Sequence, residues 1–100
     1  MQRKMNKYQL SPQSRYVRDW KHVCKNNRVL SEKICKVHEK LGTNPFLKGL
    51  GTHKVSTVIG ENRYSTRVTG DLRIIWEFDN NTVIILLALG GHSGSRKVYK

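Results

Sequence analysis

The chain has 100 residues and carries 19 lysines and arginines against 7 aspartates and glutamates, a formal charge of +12 at neutral pH. That length allows one domain with one modest core. The charge repels itself in any compact state, so it points to a polyanionic partner such as nucleic acid, the ribosome, an anionic membrane or an acidic protein, against the competing explanation of a basic surface that serves only solubility.

No apolar run is long enough to span a bilayer, so no membrane role is expected. The basic N-terminus lacks the apolar stretch of a signal peptide. Cys24 and Cys35 cannot complete a zinc site on their own. They read as small buried thiols of a reducing, cytoplasmic setting.

In chain order, Tyr8 and Leu10 alternate with polar residues and predict a short first strand. In "SPQS", Ser11 reads as an N-cap and Pro12 as the first helical residue. Tyr16, Val17, Trp20, Val23 and Cys24 follow at helical spacing and make one apolar stripe. Arg15, Arg18, Lys21 and Lys25 fall on the other, solvated side. "KNNR" is a turn, and Ser31 is the expected cap of a second helix with Leu30, Ile34, Val37, His38 and Leu41 on its inner side and Gly42 at its end. The short connection predicts an antiparallel helix pair. His22 and His38 are expected at the surface or the helix edge.

"GTNPFLKGLG" has the composition of a loop. Strand patterns follow. "HKVSTVI" is β-prone, and "RYSTRV" sends Tyr64, Thr66 and Val68 to one face and Arg63, Ser65 and Arg67 to the other. "TGD" predicts a tight turn with Gly70 at positive φ. In "LRIIWEF", Ile74, Trp76 and Phe78 oppose Arg73, Ile75 and Glu77. "TVIILLAL" is apolar on both faces, as a strand covered on both sides should be. The expected architecture is α+β, a single domain over 1–100: a helical hairpin packed on one face of a small, mainly antiparallel sheet, with arginines lining the opposite face.

Several chemistry-bearing residues converge in that arrangement. Arg67 and Arg73 flank the turn that holds Asp71, His92 leaves the end of the last strand, and His53 and Lys54 lead into the sheet. Tyr99, Arg96 and Lys97 follow His92. These types suit cleavage of an RNA phosphodiester. A histidine can take the proton of the 2'-hydroxyl or give one to the 5'-oxygen. Arginine holds phosphate and stabilises the charge of the phosphorane. A tyrosine can stack on a base. No metal or cofactor is needed. The gentler alternatives are a plain turn-forming Asp71, solvated strand arginines and a structural His53. Trp20, Trp76 and Phe78 are expected in the core.

The stretch "RYSTRVTGDLRIIWEFDNNTVIILLALGGHSGSRKVY" resembles the sheet region of the RelE/ParE toxin superfamily, and the helical hairpin before it fits the same family. The resemblance implies the toxin of a bacterial type II toxin–antitoxin pair, an endoribonuclease that cuts mRNA in the ribosomal A site and leaves a 2',3'-cyclic phosphate. Within the YafQ-like branch, His53 matches the first histidine, Asp71 the turn carboxylate, His92 the late histidine and Tyr99 the terminal aromatic. Arg67 stands where the RelE branch has an arginine. Two departures are Leu72 in place of the tryptophan after Asp71, and a longer spacer from His92 to Tyr99.

The roles so implied are catalysis by His92, His53, Asp71, Arg67 and Tyr99, and phosphate binding by Arg73, Lys54, Arg96 and Lys97. Arg15, Arg18, Lys21 and Lys25 would hold ribosomal RNA. The implied partners are an acidic antitoxin, mRNA and the 70S ribosome, with operator DNA reached only through the antitoxin. Two other classes compete: a ParE-like inhibitor of DNA gyrase, and a non-catalytic basic nucleic-acid-binding module.

Overall fold

A computed structural model describes residues 7–57 and 60–91, with side chains for 7–55 and 63–91. The chain runs β1 (Gln9–Pro12), α1 (Ser14–Cys24), α2 (Arg28–Thr43), β2 (His53–Thr57), β3 (Gly60–Arg67), β4 (Arg73–Phe78) and β5 (Val83–Gly90). The strands form one 5-stranded sheet in the order β1-β5-β4-β3-β2. β1 pairs with β5 in parallel, and the other neighbours are antiparallel. The fold is the expected α+β type, with the N-terminal strand joining the sheet.

The first helix starts later than "SPQS" suggests. Ser11 and Pro12 belong to β1, opposite Ile85 and Leu86. The Gln13 N–H extends that ladder to the Leu86 carbonyl at 2.9 Å, and Gln13 becomes the N-cap without a side-chain bond. Proline has no N–H to give, but at the end of an edge strand none is required. The second helix starts earlier than Ser31. Asn26 takes φ 56, a conformation asparagine tolerates, and reverses the chain. Asn27 then caps the helix through Oδ1, which accepts from the Leu30 N–H at 3.0 Å. Ser31 is already helical, with its N–H donated to the Asn27 carbonyl.

One main core lies between the helices and the sheet. Tyr16, Ile34, Val37, Leu41 and Leu50 pack on Ile74, Trp76, Ile84, Leu86 and Leu89, with Trp20, Tyr64 and Phe78 partly buried at its margin. The alternation read in β3 and β4 holds. Tyr64 stacks on Trp76 with ring centroids 4.7 Å apart. The Trp76 indole donates to Thr66 Oγ1 at 2.8 Å, and that hydroxyl meets Thr52 Oγ1 at 2.7 Å. A bulge shifts the β4–β5 register between Ile75 and Trp76. It lets Leu86 and Leu89 both face the helices while Ala88 joins Ile75 on the other side, in a small second cluster with Val55 and Leu87.

Three expectations change and one is narrowed. Of the two places expected for His38 it takes the helix edge, partly buried: its Nε2 lies 2.6 Å from the buried Tyr16 hydroxyl, and its ring meets Trp20 edge-on. Cys35 is exposed rather than buried. Gly70 does not take positive φ, because the turn closes through Val68 and Thr69 N–H groups on the Leu72 carbonyl and Leu72 N–H on Thr69 Oγ1. Arg15 is not on a freely solvated face, since it lies against Asp19 at 3.6 Å. Asp19 is buried and accepts the Leu89 N–H at 3.0 Å. β1 ends opposite Leu86, so beyond it that flank of β5 has no strand neighbour among the described residues, and the Asp19 carboxylate accepts the N–H there.

Candidate active site

The site is built on the sheet face away from the helices, where β2, β3 and β4 present consecutive rows of side chains. Directly paired residues in an antiparallel sheet share a face. One row runs His53, Ser65, Ile75, Ala88, and the next runs Arg67, Arg73, Gly90. His53 and both arginines therefore share a face, as the alternation of "RYSTRV" and "LRIIWEF" predicts. Lys54 does not share it. It pairs with Tyr64, so it projects to the helix side of the sheet at the β2 edge.

The charges along this face are uneven. At one end, Arg63 and Glu77 stand directly opposite and make a half-buried ion pair at 2.9 Å. At the other end, Arg67 faces Arg73 across the same two strands. Among the described residues, neither of these arginines has an ion-pair partner. Opposite charges across a strand pair stabilise it and like charges destabilise it. The Arg67–Arg73 row therefore sets two like charges opposite each other at the rim, beside the turn that holds Asp71. Arg73 is steadied there by a bond from Nη2 to the Gly70 carbonyl at 2.8 Å.

Asp71 follows in the turn and packs against the last described residue. A Cβ on Gly91 would stand 2.6 Å from Asp71 Oδ2 and 2.7 Å from its backbone carbonyl oxygen, closer than real Cβ atoms come. Glycine at 91 is what lets the carboxylate reach the chain immediately before His92. The Asp71 carboxylate fills the room that this glycine leaves. His92, Arg96, Lys97 and Tyr99 lie outside the described residues.

The 44–52 loop closes the β2–β3 side. Leu50 anchors it in the core, and the Leu50 carbonyl accepts the Arg67 N–H at 2.9 Å. Phe46 covers Trp76, Tyr64 and Phe78 while remaining 53% exposed. On α1, Arg18, Lys21 and Lys25 are exposed. No three His, Cys, Asp or Glu side chains among the described residues stand close enough to hold a metal ion. No helix among them is long and apolar enough to cross a membrane.

Sequence reading missed Asp19, whose acceptor role depends on a backbone group far away in the chain, and Gly51, whose left-handed φ of 65 carries no mark beyond the loop composition.

No protein-family model matches the sequence, and no curated protein matches it. Solved structures do match in fold. The chain is similar to a YoeB/ParE toxin from Agrobacterium tumefaciens, at 14% identity and TM-score 0.70 over 85% of this chain and 99% of that one. It is similar to the YoeB dimer of Staphylococcus aureus, at 18% identity and TM-score 0.68 over 87% and 99%. It is also similar to a chain of the DinJ–YafQ toxin–antitoxin complex of Escherichia coli, at 15% identity and TM-score 0.69 over 86% and 93%. At these identities the likeness is one of fold.

Proposed function

We propose that this chain, which has the fold of the YoeB and YafQ toxins, is the toxin of a type II toxin–antitoxin pair and an endoribonuclease that cuts mRNA on the ribosome. The observation that carries the reading is the Arg67–Arg73 row. Two cations opposite each other on neighbouring strands cost stability, and an anionic phosphate between them offsets that cost. An imidazole stands on the same face, and a carboxylate sits at the rim beside the chain leading to His92.

In the proposed reaction the 2'-hydroxyl of a nucleotide attacks the adjacent phosphorus. Its proton passes to a base, the phosphorus–O5' bond breaks, and O5' takes a proton from an acid. The products are a 2',3'-cyclic phosphate and a free 5'-hydroxyl. His53 and His92 are the proton carriers, with Asp71 as the carboxylate partner at the rim. Arg67 stabilises the phosphorane and Arg73 holds a neighbouring phosphate. Arg96 and Lys97 add phosphate contacts, and Tyr99 orients a base. Lys54, on the other sheet face, serves an RNA or partner contact away from the reacting phosphate.

Arg18, Lys21 and Lys25, with Arg15 at their margin, hold ribosomal RNA by charge. An acidic antitoxin covers this surface and folds as it binds, in keeping with the toxin–antitoxin complex of similar fold. The setting is the bacterial cytoplasm.

The test is mRNA integrity in a translating extract given the full chain or its Arg67→Ala variant. The expected result is cleavage by the first and a fall of roughly 10²-fold or more for the second. Intact message together with accumulation of relaxed DNA would replace this reading with gyrase inhibition. Equal cleavage by both proteins would remove Arg67 from the chemistry.

A further inference from the structure

Gly51 stands at a junction that the proposed reaction does not by itself require. Its φ of 65 is a left-handed conformation in which a side chain costs energy. In that conformation its carbonyl meets His53 Nδ1 at 2.9 Å. Its Cα faces the Arg67 side chain. A Cβ there would lie 3.6 Å from the guanidinium carbon and 3.7 Å from both the Arg67 Cβ and one terminal nitrogen. The residue before it, Leu50, accepts the Arg67 N–H. Two consecutive residues thus bond the Arg67 backbone and the His53 ring.

A carbonyl oxygen can only accept a hydrogen bond, so the contact requires a proton on His53 Nδ1. In the neutral ring, that leaves the lone pair on Nε2. We infer that Gly51 is the positioning residue of the site: its left-handed backbone turns its carbonyl onto His53 Nδ1 and so fixes the ring as the tautomer with a basic Nε2, while its bare Cα lies toward the Arg67 side chain. The inference rests on the ribonuclease reading for its purpose but not for its geometry. His53 is then the group that takes the 2'-hydroxyl proton, through Nε2, on the sheet face it shares with the cation that stabilises the resulting phosphorane.

The same loop supplies a matched control. Gly49 has φ 99, and a Cβ added there would meet nothing within 4 Å. Asparagine tolerates left-handed backbone better than other residues with a side chain. Gly49→Asn and Gly51→Asn therefore both strain the loop, but only the second puts a side chain in contact with Arg67 and strains the carbonyl that His53 bonds. The experiment is nitrogen-15 NMR of the full chain and both variants, with RNA cleavage rates measured alongside.

The expected wild-type spectrum has neutral His53 protonated at Nδ1. Gly51→Asn should shift the Arg67 Nε signal and the His53 tautomer balance, and should slow cleavage roughly 10- to 100-fold. Gly49→Asn should leave both signals in place and the rate within about threefold. A His53 ring protonated at Nε2 in the wild type would overturn the inference, as would equal effects of the two variants on the Arg67 and His53 signals. If the wild-type protein cuts no RNA, the function reading fails while the spectra still decide the role of Gly51.

Discussion

The Tyr16 hydroxyl and His38 Nε2 meet inside the helical layer, 2.6 Å apart, with Trp20 edge-on to the imidazole. Burial pushes the Tyr16 phenol up, so it remains a hydroxyl, and burial holds His38 below its ordinary value of 6.5. The sign of the stability effect follows. Between the folded value and about 6.5, the unfolded chain binds a proton at His38 that the folded chain resists. Stability should therefore be highest above that range and should fall as the pH drops through it. Urea midpoints measured from about pH 8 down to pH 5 check this, and a His38→Gln variant, which takes up no proton there, should lose that part of the slope. A midpoint that rises on acidification would contradict the buried, neutral imidazole.

Asp19 sets the behaviour of a whole element. β1 covers only the first half of β5, and the α1 carboxylate accepts the Leu89 N–H on the flank that β1 leaves open. Asp19→Ala should cost about 1–3 kcal/mol in chemical denaturation, because it leaves that buried N–H without an acceptor. Asp19→Asn, which keeps an oxygen at the same place, should cost less.

Element by element, the sequence was readable where one period ruled. The two faces of "RYSTRV" and "LRIIWEF" came out as the two-residue period predicts, because Arg63, Arg67, Arg73 and Glu77 mark one face while Tyr64, Trp76 and Phe78 mark the other. In "TVIILLAL" both faces are apolar, so the pattern could not show the bulge that sends Leu86 and Leu89 to the same side. The helix starts were misplaced because Ser11, Ser14, Asn27 and Ser31 all have the chemistry of a cap, and the β1–β5 ladder and the Asn26 turn chose among them. The site was legible as residue types on one face. It was not legible as an arrangement: Lys54 fell to the other face by register, and Gly51 and Asp19 act through backbone groups that side-chain patterns do not display.

At the scale of the whole molecule, the charge is +12. Among the described residues, β3 and β4 run from the Arg63–Glu77 ion pair to the Arg67–Arg73 row beside the Asp71 turn, and α1 carries exposed cations of its own. In the proposed function RNA binds both surfaces, and its hold should weaken steeply with added salt. The reaction assigned to the rim leaves a chemical signature that separates it from other ways of cutting RNA. The decisive measurement is the end chemistry of message fragments produced by the full chain in a translating extract. The account predicts 2',3'-cyclic phosphate on the upstream fragment and 5'-hydroxyl on the downstream one, both lost with Arg67→Ala. Fragments ending in 3'-hydroxyl and 5'-phosphate, or fragments that persist undiminished with Arg67→Ala, would contradict it.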